Sequence, residues 1–428
     1  MRLIAFAPLF AALALATDAG AAGGPSAQAL VESAVFKTAV ARLDADHDRT
    51  VADIITLTEI PAPPFKETAR GQAYLNLLKA HGLTAVEMDP EGNVMGVRPG
   101  ARTKGRGPYV VLAAHLDTVF PEGTDVKVRR DGTKLMAPGV GDDTRSLAVL
   151  LAYLRAMDAA KIITTSDILF VGNVGEEGAG DLRGTRYLFN TGRYKGRISA
   201  FFSMDGNDPS RLVDQGVGSK RYHVVFRGPG GHSYGAFGMV NPMAAMAKAV
   251  VDLYAIKPPT EPKTTYAASV TGGGTSVNAI PGEVFMDFDL RSESAAELAR
   301  LDTRLVAILN AAVESENAAR STRYGKVSVE ASVIGERPAG RTDPKAAIVV
   351  ATHDAIIALG YTPLHEASST DANVPMSLGI PAVTIGSGGK GGRAHALDEW
   401  IDVEKEPSVK GMSVGLAALL TVAGVENP

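Results

Sequence analysis

Hydrophobic positions along this chain fall into two textures. In the first, short unbroken apolar runs alternate with segments of helical spacing, and each apolar run ends in polar or acidic residues. Tyr109 to Ala114 (YVVLAA) is such a run. An unbroken run suits a strand covered on both faces, as in a parallel sheet flanked by helices. It ends in His115-Leu116-Asp117, where the His and Asp project to the same side of an extended backbone. Ile168 to Val171 leads likewise to Glu176-Glu177, and Ile198 to Met204 leads to Asp205. Between them, residues 27–57, 66–81 and 142–157 carry helical apolar spacing, the last through Leu147, Leu150, Leu151 and Leu154. Asp142 and Asp143 open that helix after a glycine-rich loop, a position that N-terminal capping would explain. His81 falls in the last turn of its helix, where a capping role is expected. The alternation predicts a doubly wound α/β fold with a mostly parallel sheet.

From about residue 219 the texture changes. Tyr222, Val224 and Phe226 alternate with His223, Val225 and Arg227, as in a half-exposed strand. A helix over 241–255 follows, then strands over 265–270 and 283–291. A helix over 293–317 opens with the capping box Ser294-Ala295-Ala296-Glu297, and a strand over 326–333 closes the series. This is the βαββαβ order of a ferredoxin-like motif inserted into the first domain. Doubly wound texture then resumes with a helix from Asp343 to Gly360, a short helix opened by Ser369-Thr370-Asp371, and the strand Ala382 to Ile385. The chain therefore divides into a discontinuous α/β domain (28–215 and 337–428) and an inserted domain (216–336), after a leader over 1–21.

Leu3 to Ala16 of that leader is apolar, Arg2 precedes it and Ala19-Gly20-Ala21 offers a small-x-small cleavage site, the pattern of an export signal. The apolar run is short for a span of about 20 residues, so the mature protein is expected to be periplasmic or secreted, with no membrane partner. Formal net charge is −4 and no basic stripe is present, which gives nucleic acid no electrostatic footing. There is no cysteine, so thiolate ligands, a thiol nucleophile and disulfides are excluded.

Strand ends in an open α/β sheet converge on one crevice. His115, Asp117, Asp142, Glu176, Glu177, Asp205 and His395 all fall at or just beyond such ends. Five carboxylates beside two imidazoles repel one another unless cations neutralise them. Nitrogen and oxygen donors without sulfur suit zinc, cobalt or manganese. Two divalent ions about 3.5 Å apart, sharing one carboxylate, would balance the charge and hold an activated water.

The segments AAHLDTV, GVGDD, VGEEG, FSMDG, GPGGHS, TSVNAIPGE and HALDE, in this order from about residue 50 onward, resemble those of the M20 family of dinuclear zinc peptidases and amidohydrolases. The resemblance implies a zinc-binding α/β domain interrupted by a smaller domain used for dimerisation, hence a homodimer. It makes Asp142 the carboxylate shared by both ions, with His115 and Asp205 on one and Glu177 and His395 on the other. Glu176 becomes the general base and Asp117 the partner that hydrogen-bonds the His115 ring. His232 would reach a partner subunit's site and polarise the substrate carbonyl, and Asn278 would contact the substrate amide. Hinges near residues 216 and 337 would close the inserted domain as a lid. Arg291 resembles a substrate-carboxylate contact, though an ordinary charged strand residue explains it equally. One departure is Thr144, where many relatives have Lys.

The expected activity is hydrolysis of amide bonds, in short peptides first and in N-acyl amino acids as the alternative. A binding protein of the same fold that has lost catalysis is a third reading, against which the retained Glu176 and ligand set stand. A serine hydrolase is disfavoured because no Gly-x-Ser-x-Gly elbow is present.

Overall fold

The run Tyr109–His115 is buried at all seven positions, because it lies inside a sheet with helices on both faces. In this computed structural model, which describes residues 26–428, it runs parallel to Asp167–Asn173 on one side and to Ile198–Met204 on the other. Ala382–Ile385 adds a fourth parallel strand beyond Ile198–Met204. Val110, Leu112 and Ala114 belong to a core shared with the helices Arg145–Ala159 and Lys405–Ala423, while Tyr109, Val111 and Ala113 pack with Leu188, Phe189 and Val374 on the opposite face. The period-two alternation of a strand thus feeds two cores at once. Because the four strands are parallel, their carboxyl ends leave the sheet on one edge, with His115 opposite Asn173 in register. Antiparallel strands extend the sheet: Val94–Arg98 and Thr84–Met88 at one side, Arg211–Gly216 and Gly340–Arg341 at the other.

A second sheet holds Thr264–Gly273, Glu283–Ser292, Gly218–Arg227 and Ser328–Arg337 in that spatial order, antiparallel throughout. The helices Pro242–Tyr254 and Ala295–Ala319 cover it over a separate core built on Val224, Phe226, Val284, Phe288 and Leu305. Ser294 Oγ accepts from the Glu297 amide, as the capping box predicts. The chain passes between the two sheets at Val217 and again at Pro338-Ala339. Asn373 Nδ2 donates to both crossings, 2.9 Å to Val217 O and 2.9 Å to Pro338 O. The α/β class with a parallel central sheet and an interposed βαββαβ unit is as expected.

Several local expectations differ. The helical run over 27–57 is three helices, Ala27–Glu32, Ala34–Ala45 and His47–Thr58, because Ser33 caps a new start through the Phe36 amide and Asp46 separates the next pair. The helix expected from Asp142 begins at Arg145 instead. Val140–Thr144 forms an irregular turn in which Asp142 and Asp143 leave helical torsions. A four-stranded antiparallel ribbon of Arg129–Asp131, Lys134–Met136, Trp400–Asp402 and Lys390–Gly392 was not foreseen. Its strands have three residues each and join segments some 260 positions apart, so no local periodicity announces it. The leader over 1–21 lies outside the described residues, among which no helix is long and apolar enough to cross a membrane.

Asp167 anchors the start of a central strand. Its carboxylate accepts from the amides of Gly100, Gly105 and Gly107 at 2.7, 2.8 and 2.7 Å. Burial works to raise this carboxyl, yet the three amides outweigh it and hold it below its ordinary value. Asp167→Asn places an NH2 against one of these donors and is expected to lower stability by about 1–3 kcal/mol. A depressed folded pKa stabilises fully above the unfolded value and loses that contribution as pH falls through the folded one. Denaturant titrations of both proteins should therefore differ at neutral pH and converge well below pH 4. An equal difference at both pH values would refute the assignment.

Candidate metal centre

His115 closes its strand with a buried ring. Its Nε2 lies 2.9 Å from Asp142 Oδ1, and the other oxygen of Asp142 lies 3.1 Å from His395 Nε2. One carboxylate therefore faces two imidazoles that arrive from segments 280 positions apart. The turn that presents Asp142 is held by Glu399. Its Oε1 accepts from the amides of Gly141 and Asp142 at 2.7 and 2.8 Å, and its Oε2 from Gly139 at 2.9 Å. Gly139 has φ of 76°, and a Cβ there would meet Thr118 at 2.6 Å, so the turn requires glycine. Thr144, the departure noted above, donates its hydroxyl to Gly139 O at 2.6 Å. The buried Arg145 reaches Asp402 O at 3.1 Å and also Gly388 O, tying the turn to the loop that carries His395.

The adjacent pair Glu176-Glu177 is oriented by Asp117. Asp117 Oδ1 accepts from the Glu176 amide at 3.0 Å and Oδ2 from the Glu177 amide at 2.9 Å. The His115 ring was expected to hydrogen-bond this carboxylate. His115 Nδ1 stands 3.6 Å from Asp117 Oδ1, within ion-pair reach, and 3.1 Å from the Asp117 carbonyl. Asp117 thus serves as the brace between the histidine and the glutamate pair. Glu177 Oε1 lies 2.8 Å from His395 Nε2. Glu176 turns the other way, and its Oε1 accepts from Arg337 Nη1 at 3.0 Å. Behind Arg337, the buried Asp371 accepts from Asn173 at 2.6 Å and from Thr185 at 2.5 Å.

Electrostatics follow from burial and crowding. Burial, with Glu177 adding, holds the Glu176 carboxyl well above its ordinary value although Arg337 pulls it down. Burial likewise raises Asp143, Asp205 and Asp371, the last to about 6. His395 is pushed up to about 10 by Asp142 and Glu177. Burial works against charge on His115, yet Asp143, Asp117 and Asp142 outweigh it and raise that ring as well.

The donor set fits divalent ions. One ligand atom from each of His115, Asp142 and Glu177 lies within 4.8 Å of the others, and the same holds for His115, Asp143 and Asp205. Asp143 was not foreseen as part of this group. It is fully buried, its Oδ2 accepts from the His115 amide at 3.0 Å, and its Oδ1 has no hydrogen-bond partner. Arg337, Asp371 and Glu399 were also missed as site residues. Only Glu399 carried a signal, since it closes the HALDE segment.

The cavity in front of this cluster measures about 590 Å³, and Arg221, Arg291 and Arg337 line it together with Asp142, Glu176 and His395. His232 and Asn278 do not line it. His232 sits on the two-residue strand Gly231–His232, paired with Ala279–Ile280. Its Nδ1 accepts from the Tyr234 and Gly235 amides at 3.2 and 3.3 Å. Asn278 O accepts from the Ser233 amide at 2.9 Å, so the structure brings these two residues together but apart from the acidic cluster of their own chain.

Comparison with known proteins gives concordant results. A family model described as Peptidase family M20/M25/M40 matches residues 111–421. A protein of Pyrococcus abyssi named for LysW-lysine/LysW-ornithine hydrolysis is 31% identical over 131 residues, which is 31% of this chain and 34% of that protein. The match thus spans about a third of that relative's length. Aminopeptidase PepT from Bacillus cereus superposes with a TM-score of 0.71 at 21% identity, over 88% of this chain and 99% of that one. A dinuclear metal binding peptidase of the M20 family from Bacillus subtilis superposes with a TM-score of 0.63 at 17% identity, over 89% and 99% of the two chains. At these identities the two structures show a shared fold.

Glu399 is the residue on which the Asp142 turn rests. Glu399→Ala leaves three amides, two of them buried, without an acceptor and should weaken divalent-ion affinity by about 10–100-fold, as loss of an outer-shell partner does. Calorimetric titration of metal-free protein with Zn2+ measures it; unchanged affinity would show that the turn holds its shape without Glu399.

Proposed function

Because this chain belongs to peptidase family M20/M25/M40 and is a hydrolase of amide bonds, we propose that it is an exported peptidase acting on short peptides, with a two-ion centre and Glu176 as general base. The observation that carries this reading is the Asp142 carboxylate, whose two oxygens face His115 at 2.9 Å and His395 at 3.1 Å. A carboxylate between two imidazoles is the donor arrangement for a shared pair of ions. His115, Asp142 and Asp205 would hold one ion, and Asp142, Glu177 and His395 the other. Zn2+ fits best, with Co2+ or Mn2+ suited by the same donors. When bound, the ions lower the pKa of the attacking water and polarise the scissile carbonyl.

The chain's own residues do the rest. Asp117 fixes the amides of Glu176 and Glu177, so the two side chains diverge, one toward the ligand cluster and one toward the reacting water. Glu176 takes a proton from water as its oxygen attacks the carbonyl carbon. It returns that proton to the departing nitrogen as the carbon–nitrogen bond breaks, giving an acid and an amine. Burial, against the pull of Arg337, raises the Glu176 carboxyl above its ordinary value. Arg337 engages one of its oxygens and keeps the side chain oriented. Arg221 and Arg291 share Asp289 at 3.3 and 2.7 Å and Arg337 pairs with Glu176, so three guanidiniums meet two carboxylates and leave the cavity a cationic end suited to a free carboxylate; an N-acyl amino acid offers the same carboxylate and amide as the second reading. The apolar leader supports a periplasmic or secreted location.

The assembly we propose is a homodimer in which His232 and Asn278 complete the partner's site, and in which the second sheet closes as a lid about the crossings at Val217 and Pro338. His232 has an exposed setting, flanked by Tyr234, Phe237 and Val277 at 90, 88 and 103% exposure. Large apolar side chains clustered at a tip suit contact with another surface. Thr264–Gly273 is an unpaired edge of its sheet, and Val251 and Tyr254 on the adjacent helix Pro242–Tyr254 are exposed as well. An edge strand of this kind is a template for self-association.

Metal-free protein reconstituted with Zn2+ should retain about two ions per chain by elemental analysis. Glu176→Gln should keep them while turnover of a dipeptide falls by roughly 10²–10⁴-fold, whereas Glu177→Gln should lose metal. Reversed phenotypes would exchange the roles of base and ligand. Mixing inactive Glu176→Gln with inactive His232→Ala subunits should restore activity, because a mixed dimer contains one site with an intact base and an intact partner histidine. No recovery after demonstrated subunit exchange would sink the shared site.

A further inference from the structure

Beside the metal-centre cavity lies a second one of about 710 Å³, walled by Trp400, Tyr361, Pro209 and Pro407 with Lys390 and Arg393 at its margin. The two cavities share Gly206, Asn207, Arg211 and Ala394 as lining. Gly206 follows Asp205 and Ala394 precedes His395, so the junction lies one residue from two members of the ligand cluster. Asn207 sits at this junction, with its Oδ1 buried and without a partner. A Cβ at Gly391 would come within 2.4 Å of the Asn207 amide nitrogen, so bare backbone on the glycine loop leaves Asn207 its place.

The aromatic wall is fixed. Trp400 belongs to the strand Trp400–Asp402, held between Lys390–Gly392 and Lys134–Met136. Lys134 Nζ lies 4.5 Å from its ring centroid, and a Cβ at Gly392 would stand 3.1 Å from its indole nitrogen. A ring braced on both neighbours and packed on glycine presents a preformed apolar surface. The size of the cavity falls within the range of small-molecule sites, roughly 300–1,000 Å³. Lys390, Arg393 and Arg211 meet Asp208 and Glu399 in its lining, and Asp398 and Glu366 pair with Arg393 and Arg211, so charge is closely balanced there and the aromatic wall is what distinguishes the cavity.

Arg221, Arg291 and Arg337 line only the metal-centre cavity. A substrate whose carboxylate rests on them extends its other end past the ligand cluster toward the Gly206–Ala394 junction. We infer that the Trp400 cavity is the subsite for the residue on the acyl side of the scissile bond, and that it selects an aromatic side chain there. Aromatic rings meeting Trp400 and Tyr361 gain contact that a methyl group does not. This inference rests on the amide-hydrolase reading given above.

Trp400 is the single tryptophan of the chain, so its emission reports on this cavity alone. Metal-loaded Glu176→Gln protein, held from turnover, is titrated with phenylalanyl-glycine and with alanyl-glycine. A saturable change in Trp400 emission is expected with the first and not the second. Wild-type protein should show a higher kcat/KM for phenylalanyl-glycine. Tyr361→Ala, which keeps the fluorophore, should lower the ratio of the two kcat/KM values about tenfold or more, the span typical of an apolar pocket contact. Equal emission responses to the two dipeptides, or a ratio unmoved by Tyr361→Ala, would overturn the subsite. A saturable response specific to phenylalanyl-glycine, with neither dipeptide hydrolysed by wild-type protein, would leave the subsite standing and overturn the peptidase reading.

Discussion

Concentrated negative charge at the carboxyl edge of the parallel sheet is the constraint around which this protein is built. Asp142, Asp143, Glu176, Glu177 and Asp205 converge there, with Asp117 and Asp371 close behind. Buried carboxylates at such separations are strongly unfavourable in a medium of low dielectric. The structure meets the problem with three kinds of positive partner. Backbone amides take Asp117 and Glu399, the two imidazoles stand over Asp142, and Arg337 takes Glu176. What these leave uncompensated, chiefly Asp143 Oδ1 and the raised Glu177 and Asp205 carboxyls, is the electrostatic demand that divalent cations would meet.

That demand explains why so many contacts around the cluster serve to orient its members. Asp117 and Glu399 each spend both oxygens on backbone amides beside a candidate ligand, so the ligand's direction is set before anything binds. Arg145, buried among carbonyls, joins the Asp142 turn to the His395 loop. Preorganised donors of this kind cost nothing further when charge develops in the reaction.

The two sheets are joined mechanically at the same place. Arg337 ends the last strand of the second sheet and contacts Glu176 in the first. A few residues away, Asn373 holds both chain crossings with one side-chain amide. Asn373 in turn accepts from the Thr370 amide at 3.0 Å, beside Asp371. Any rotation of the second sheet therefore passes through residues that also orient Glu176, so that the position of that sheet and the orientation of Glu176 are coupled through hydrogen bonds rather than through distance alone.

Much of this was legible in the linear sequence, for physical reasons. Unbroken apolar runs such as Tyr109 to Ala114 identify strands with two covered faces, and polar residues at their ends identify the edge where chemistry is placed. The shift to alternating polarity after residue 219 marks a sheet with one exposed face. His115, Asp142, Glu177 and His395 were nameable because residue type and strand-end position together imply a cluster. The supporting residues were not. Arg337 looks like an ordinary charge at the end of an exposed strand, Asp371 like a helix cap, and Asp143 like a second capping carboxylate. Three-residue strands such as Lys134–Met136 and Trp400–Asp402 carry no periodicity, and their pairing spans more than 250 residues. Local pattern reports which face of an element is buried, but which side chain meets which carboxylate depends on how distant segments pack. Tertiary structure alone therefore decided that Asp117 braces the glutamate amides, that Glu399 holds the Asp142 turn, and that His232 stands apart from the site of its own chain.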